Sequence, residues 1–148
     1  MKKLFALAES VGFKLKSLGH TVGVTESSAG GLISASLLSV SGASGYFVGG
    51  SIIYTRLSQK QLLGVDDDAM TDIRGSTKEY ALLNAHTVRK LLGTTWGLSE
   101  TGASGPSGNR YGDKAGHSCI AISGPRELTI TIDTNKSDRI ENMRVFAE

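Results

Sequence analysis

The sequence contains little cysteine and little proline: Cys119 is its single cysteine, and it has two prolines in 148 residues. A lone cysteine excludes an internal disulfide, and no Cys or His stands at the spacing typical of a structural zinc site. We therefore expect a protein of the reducing cytoplasm that holds no metal.

An excess of charge of one sign and long apolar runs are missing as well. The formal net charge is only +2, and the basic residues are scattered along the chain, whereas a nucleic-acid site needs them grouped. The apolar stretches are a few residues long, against the twenty or so that cross a bilayer, and the Lys2-Lys3 start is not followed by an apolar signal region. We predict a soluble, cytoplasmic protein with no nucleic-acid partner and no membrane association.

What remains is an ordinary globular composition. The hydrophobic fraction is 39% and the charged fraction 20%, close to the average for folded domains. The length fits one core, and the chain has no repeat or linker, so we predict a single domain over residues 1–148.

Apolar residues near the start recur at three- and four-residue spacing, which predicts an amphipathic helix that ends near Gly19 and packs on the core. They are Leu4, Leu7, Val11, Leu15 and Leu18.

Further helices are predicted over 32–38, 57–63 and 76–92 and from 137 onward, and strands over 21–25, 47–54, 95–98, 118–122 and 127–132. Gly49-Gly50 in the second strand indicates a bulge or a close backbone approach. Strands and helices alternate through two thirds of the chain, and a hairpin-like pair of strands follows. This order predicts an α/β fold with a mixed, mostly parallel sheet between two layers of helices.

Two segments contain residues suited to chemistry. Residues 26–31, Glu-Ser-Ser-Ala-Gly-Gly, stand between a predicted strand and a helix, where free N–H groups and the helix dipole favour an oxyanion or a phosphate. The alternative is that Ser27 and Ser28 only cap the helix.

The second segment is the glycine-rich stretch at 101–112. It brings backbone amides close to a ligand, or it is a flexible surface loop. It lacks the Gly-Lys-Ser/Thr ending of a phosphate-binding nucleotide loop, which argues against a nucleoside triphosphatase.

Other polar residues do not form a pattern. His20, His86 and His117 are far apart and lack metal-ligand spacing, and the Asp66-Asp67-Asp68 run is typical of a solvated loop. Trp96 and Cys119 stand in predicted strands and are assigned to the core. No metal or cofactor is predicted.

Five segments, taken in order, resemble the CinA C-terminal family over nearly the whole chain. They are residues 25–31, residues 42–44 ahead of Phe47, Tyr54 with residues 62–65, Gly75-Ser76, and residues 101–106 (Thr-Gly-Ala-Ser-Gly-Pro). The resemblance implies an α/β/α sandwich, frequently a homo-oligomer, that acts on a nucleotide by hydrolysing the amide of nicotinamide mononucleotide.

The resemblance also implies roles for single residues. Ser27 matches the family's serine nucleophile, Tyr54 and Thr101 match active-site hydroxyls, and Arg139 matches an arginine that holds the nucleotide. The glycines of the two matched motifs are expected to bind substrate. They are Gly30, Gly31, Gly102 and Gly105.

One position departs from the family. Active members place their general-base lysine where this chain has Gln59, and Lys60 follows one residue later. On a helix that step rotates the Cα by about 100 degrees. The leading hypothesis is an amidohydrolase with Ser27 as nucleophile and Lys60 as base. The alternative is a catalytically weak relative that binds a nucleotide-like ligand as an accessory or sensing protein.

Overall fold

The computed structural model describes residues 1–148 and contains one sheet of five strands in the order β2-β1-β3-β4-β5. The strands are β1 (Val22–Glu26), β2 (Phe47–Ile52), β3 (Trp96–Ala103), β4 (His117–Ser123) and β5 (Leu128–Asp133). Strand β1 pairs in parallel with β2 and β3, whereas β4 is antiparallel to both β3 and β5. Only β4 runs against the others, which confirms the mixed, mostly parallel sheet.

Five helices cover the sheet. They are α1 (Lys2–Leu18), α2 (Leu32–Leu38), α3 (Arg56–Leu63), α4 (Lys78–Leu92) and α5 (Arg139–Ala147). Buried residues of α1, α2 and α5 share a core with β1 on one face, while α4 packs on the other face with α3 beside it. The predicted three-layer α/β/α architecture is confirmed.

Glycines end three of these helices. Gly19, Gly64 and Gly93 follow α1, α3 and α4 with φ of 64°, 68° and 63°, the left-handed conformation that glycine adopts without steric cost. At the start of α4, the Thr77 hydroxyl accepts a hydrogen bond from the Tyr80 N–H at 3.2 Å. These ends agree with the predicted ones because capping depends on local sequence.

The predicted core face of α1 is partly wrong. Leu7, Val11 and Leu18 are 40%, 44% and 64% exposed. The buried stripe consists of Leu4, Ala8, Gly12 and Leu15. Small residues in this stripe let the helix approach the core closely, and a Cβ built at Gly12 would lie 2.8 Å from the Tyr46 hydroxyl oxygen.

Strand β2 contains the irregularity that its glycines predict. Val22 pairs with Phe47 while Gly23 pairs with Gly49, so Val48 is an extra residue and forms a bulge. Past the bulge, the N–H of Ile53 donates to the carbonyl of Glu26 at 2.7 Å. This bond holds the end of β2 beside the end of β1, so that Tyr54 emerges next to the turn that follows β1.

Candidate active site

A cavity of about 340 Å³ opens at the carboxyl ends of β1, β2 and β3. Its lining residues come from the turn after β1, the end of β2, the segment after β3 and the start of α5. They are Ser28, Tyr54, Gly102, Ala103, Ser104, Gly105, Pro106, Ser107, Gly108, Asn109 and Arg139. The structure therefore brings Tyr54, Gly102, Gly105 and Arg139 together as predicted from the sequence.

The turn between β1 and α2 is organised by Glu26. This fully buried carboxylate accepts the N–H groups of Gly31, Ile33 and Ser34 at 2.7–3.0 Å, together with the Ser34 hydroxyl at 2.6 Å. The amides at the start of α2 are therefore taken by a carboxylate of the chain itself. Of these three residues only Gly31 was predicted to bind substrate, and its amide is occupied by Glu26.

Gly30 and Gly31 shape this turn. Gly30 has φ of 67° and Gly31 has φ of 97°, conformations that residues with a Cβ rarely adopt. The Gly30 N–H donates to the Ser27 carbonyl at 3.2 Å, and the Gly31 N–H donates to Glu26. The amides of both glycines are thus used within the turn, and neither glycine lines the cavity.

Glu100, which the sequence interpretation did not single out, is a second fully buried carboxylate beside the same turn. It accepts the Ser28 hydroxyl in a short contact, the Ser118 hydroxyl at 2.9 Å, and the N–H groups of Ser27 and Ala29 at 3.1 and 2.8 Å. Burial raises the pKa of Glu100, against the opposing effect of these four hydrogen bonds. Glu100 follows the strand predicted over 95–98, which in the structure extends to Ala103, so the sequence prediction did not place this carboxylate in a buried strand.

The two serines of the turn differ. Ser28 is 3% exposed, lines the cavity and donates its hydroxyl to Glu100. Ser27 is partly exposed and does not belong to the cavity lining. Of the amides from 27 to 34, only that of Ser28 makes no hydrogen bond within the chain. A free donor is therefore present at Ser28.

On the far side of the cavity, Arg139 joins two elements. Its Nη1 donates to the Gly105 carbonyl at 2.6 Å, and its Nη2 donates to the Tyr54 hydroxyl at 3.3 Å. The nearby amides of Gly105, Ser107 and Gly108 have no acceptor within the chain. This wall of the cavity therefore offers N–H donors and one positive charge, which suit an anion.

The structure does not bring Lys60 to Ser27. The Lys60 Nζ lies 2.8 Å from Asp67 Oδ2 in an exposed ion pair. Gln59 is fully buried, but its Nε2 donates to Asn84 Oδ1 at 2.6 Å and its Oε1 accepts from Arg56. Neither side chain hydrogen-bonds to the serine turn.

Thr101 lies on the α4 side of the sheet. Its hydroxyl is buried and accepts the N–H of Ser76 at 3.2 Å, and it is not part of the cavity lining. The predicted active-site hydroxyl thus holds the turn before α4.

No group of three His, Cys, Asp or Glu side chains is placed to hold a metal ion, and none of the helices is long and apolar enough to cross a membrane. A larger open groove of about 960 Å³ lies beside the end of α4. It contains no nucleophile paired with a base, so the chemistry is assigned to the smaller cavity.

A ligand cavity at the carboxyl ends of parallel strands is typical of small-molecule sites in α/β proteins. The family model described as the CinA C-terminal domain matches residues 4–148, and the chain belongs to this family. It is 39% identical over 120 residues to a CinA-like protein of a Nostoc species and 35% identical over 133 residues to a CinA-like protein of Myxococcus xanthus.

These matches cover 81% and 90% of this chain but only 28% and 32% of the two relatives. The chain thus spans less than a third of the length of either relative.

Solved structures share the fold. A CinA superfamily protein from Escherichia coli superposes with a TM-score of 0.90 at 16% identity, covering 97% of this chain and 84% of that one. A competence/damage inducible protein from Agrobacterium tumefaciens gives 0.89 at 24% identity, with 97% and 88% covered. At these identities the likeness establishes the fold alone.

Proposed function

We propose that this chain hydrolyses the carboxamide of nicotinamide mononucleotide to nicotinate mononucleotide and ammonia, with a serine of the Ser27-Ser28 turn as nucleophile. The family resemblance assigns that role to Ser27. One observation carries the proposal: the serine turn and a wall of free N–H donors with Arg139 meet around one cavity of about 340 Å³. This volume is within the range of small-molecule sites.

The donor wall supports recognition of a phosphate monoester. A guanidinium has five N–H donors, and Arg139 uses donors of Nη1 and Nη2 on Gly105 and Tyr54, which fixes its plane at the cavity. Its remaining donors and the amides of Gly105, Ser107 and Gly108 are free to bind phosphate oxygens. Charge-assisted bonds of this kind are the stronger ones in proteins.

Ammonia release by the purified chain tests the proposal, with nicotinamide mononucleotide and nicotinamide riboside compared as substrates. Arg139→Met is expected to raise KM for the mononucleotide by about 10- to 100-fold, the equivalent of a charge-assisted hydrogen bond. It should leave KM for the riboside, which has no phosphate, nearly unchanged.

Arg110→Met is the matched control. Arg110 lies on the same loop, but its guanidinium packs on Tyr111 and it does not line the cavity. An equal effect of both variants, or no ammonia release by the parent protein, would contradict the proposal.

The second candidate is a catalytically weak protein that binds a nucleotide-like ligand. It is favoured by the ion pair of Lys60 with Asp67 and by the hydrogen bond of Gln59 with Asn84, which leave Ser27 without an amine base. Calorimetric binding of nicotinamide mononucleotide without ammonia release would support this candidate. Homo-oligomerisation and a cytoplasmic location stay predictions, and sedimentation of the purified chain checks the first.

A further inference from the structure

Glu100 is the one carboxylate that contacts a hydroxyl lining the cavity. Its Oε1 accepts from Ser28 and Ser118, and its Oε2 accepts from the N–H groups of Ser27 and Ala29. No Lys, Arg or His forms an ion pair with it. Three of these hydrogen bonds orient the carboxylate, and no neighbouring cation neutralises it. It can therefore receive a proton from the fourth donor, the Ser28 hydroxyl.

Ser28 meets the other requirements of a nucleophile. It lines the cavity, its hydroxyl is already hydrogen-bonded to a possible base, and its own N–H is unpaired. In serine proteases the nucleophile's own amide is one of the oxyanion donors. A nucleophile bonded to a base that a third group orients is the general pattern of an activated hydroxyl.

Ser27 lacks these features. The Lys60 ammonium is bound by Asp67, and Gln59 is bound by Asn84 and Arg56. The Ser27 hydroxyl makes no hydrogen bond within the chain, and its N–H is taken by Glu100.

We propose that Ser28 is the nucleophile of this chain and that Glu100 is its proton acceptor, in place of the serine and lysine that the family resemblance implies. This inference rests on the proposed amide hydrolysis and names the residues that perform it.

The reaction balances with these two groups. The Ser28 Oγ bonds to the amide carbon while its proton moves to Glu100 Oε1, and the Ser28 N–H donates to the oxyanion that forms. Glu100 then returns the proton to the leaving nitrogen, the C–N bond breaks and ammonia departs. Water attacks the carbonyl carbon of the Ser28 ester and gives a proton to Glu100. Glu100 returns this proton to the Ser28 Oγ as the C–Oγ bond breaks, which releases the carboxylic acid product and restores the starting state.

The environment of Glu100 suits this role. A general base works best when its pKa lies near the working pH, and burial raises the pKa of Glu100 from the ordinary glutamate value of 4.5, although its four hydrogen bonds act in the opposite direction.

A small fluorophosphonate provides a test that needs no nucleotide. It phosphonylates an activated serine: the Oγ–P bond forms, the P–F bond breaks and the serine proton goes to the base. Peptide mass spectrometry of the labelled wild-type chain is expected to place the phosphonate on Ser28. The label on Ser27, or no label, would overturn the inference without any variant that must first be shown to fold.

Two variants test the base. Glu100→Gln keeps an oxygen for the two amides and is expected to slow phosphonylation by at least about 100-fold, in line with general-base contributions. Ser34→Ala is the matched control because it removes a hydroxyl bonded to the other buried glutamate, Glu26, outside the cavity. Its rate should stay within about twofold of the wild type, and an equal loss in both variants would overturn the role of Glu100.

The same preparations assayed for ammonia release separate this inference from the proposed function. Labelling of Ser28 without release from nicotinamide mononucleotide would overturn the proposed function and leave the Ser28–Glu100 pair standing. Release together with labelling of Ser27 would overturn the pair and leave the function.

Discussion

Glu26, the last residue of β1, and Glu100, within the adjacent strand β3, are both fully buried carboxylates, and each accepts four hydrogen bonds. They differ in the groups that donate these hydrogen bonds. Every donor to Glu26 comes from residues 31–34 at the start of α2, whereas Glu100 receives two serine hydroxyls and two amides of the turn before it.

The difference separates an anchor from a reactive group. Three of the four donors to Glu26 are backbone amides, which cannot leave the carboxylate unless α2 unwinds. The fourth donor, the Ser34 hydroxyl, does not line the cavity, so Glu26 is fixed. A hydroxyl can transfer its proton, and this is the role proposed for Ser28, which donates to Glu100 at the wall of a cavity that a substrate can enter. Both glutamates are fully buried, accept four hydrogen bonds and receive at least one serine hydroxyl, so the location of that hydroxyl, at the cavity for Ser28 and away from it for Ser34, separates them.

The largest expected effect concerns Glu26 as an anchor. Glu26→Leu leaves three amides and one hydroxyl without their acceptor and should lower the free energy of unfolding by about 3 kcal/mol or more. Glu26→Gln retains one acceptor oxygen and should lose clearly less. Urea unfolding followed by circular dichroism measures both. A leucine variant as stable as the wild type would remove the distinction between the two carboxylates.

A second prediction concerns the pH dependence that Glu100 gives to stability. Its pKa is raised by burial, so the folded state holds the proton more tightly than the unfolded chain does. The free energy of unfolding therefore falls as pH rises from the pKa of Glu100 in the unfolded chain, near 4.5, to its raised pKa in the folded protein. At higher pH it stays at the lower value.

Glu100→Gln has no charge to bury, and its stability relative to the wild type should therefore increase across that interval. Urea midpoints of both proteins at a series of pH values provide the measurement. The opposite slope would mean that hydrogen bonding outweighs burial at Glu100.

A third and smaller effect is expected at His117, the half-buried counterpart of these acids. Its Nδ1 lies 2.9 Å from Asp133 Oδ1 and its Nε2 lies 3.0 Å from the Ser76 carbonyl. Both partners accept, so both bonds form only when the imidazole is charged. Burial lowers the pKa of His117, but the bonds to Asp133 and Ser76 outweigh this and raise it above 6.5.

The stabilisation from His117 is therefore complete below pH 6.5 and is lost as pH rises through its folded pKa. We expect about 1 kcal/mol, which is the upper value for an exposed ion pair and lies below the usual range for a charged hydrogen bond because Asp133 is exposed. In His117→Gln the corresponding part of the pH dependence should disappear, while the part due to Glu100 remains. If the pH dependence of stability above pH 6.5 were the same in His117→Gln as in the wild type, a charged His117 imidazole would be excluded.

The smallest effect is expected for Gln59→Lys. If Glu100 accepts the proton, a lysine in this position adds no needed base, and ammonia release should change less than about twofold. If the protein is instead a binder that lacks only the family lysine, activity should rise above the parent. Gln59→Met, of similar volume and without an amine, controls for the loss of the hydrogen bond to Asn84.

Local signals predicted most of the fold. Glycines at 19, 64 and 93 end three helices as expected, and the alternation of strands and helices predicts a sheet between two layers of helices. Both features depend on residues that are close together in the chain. The core face of α1 was predicted less well. Spacings of three and of four residues both fit the helical period, so the sequence allows more than one stripe of residues to face the core. The packing of Gly12 against Tyr46 shows that the stripe through Gly12 is the buried one.

The sequence by itself predicted the segments that line the cavity. The serine turn and the glycine-rich stretch at 101–112 were predicted from their motifs, and Tyr54 and Arg139 from the family resemblance; parallel strands collect such segments at one edge of a sheet. Only the tertiary structure decided which side chains meet. Glu100 stands 72 residues from Ser28, and Lys60, next to the expected position, is held by Asp67. Hydrogen bonds to buried carboxylates depend on distances between strands, and these distances cannot be predicted from the spacing of residues along the chain.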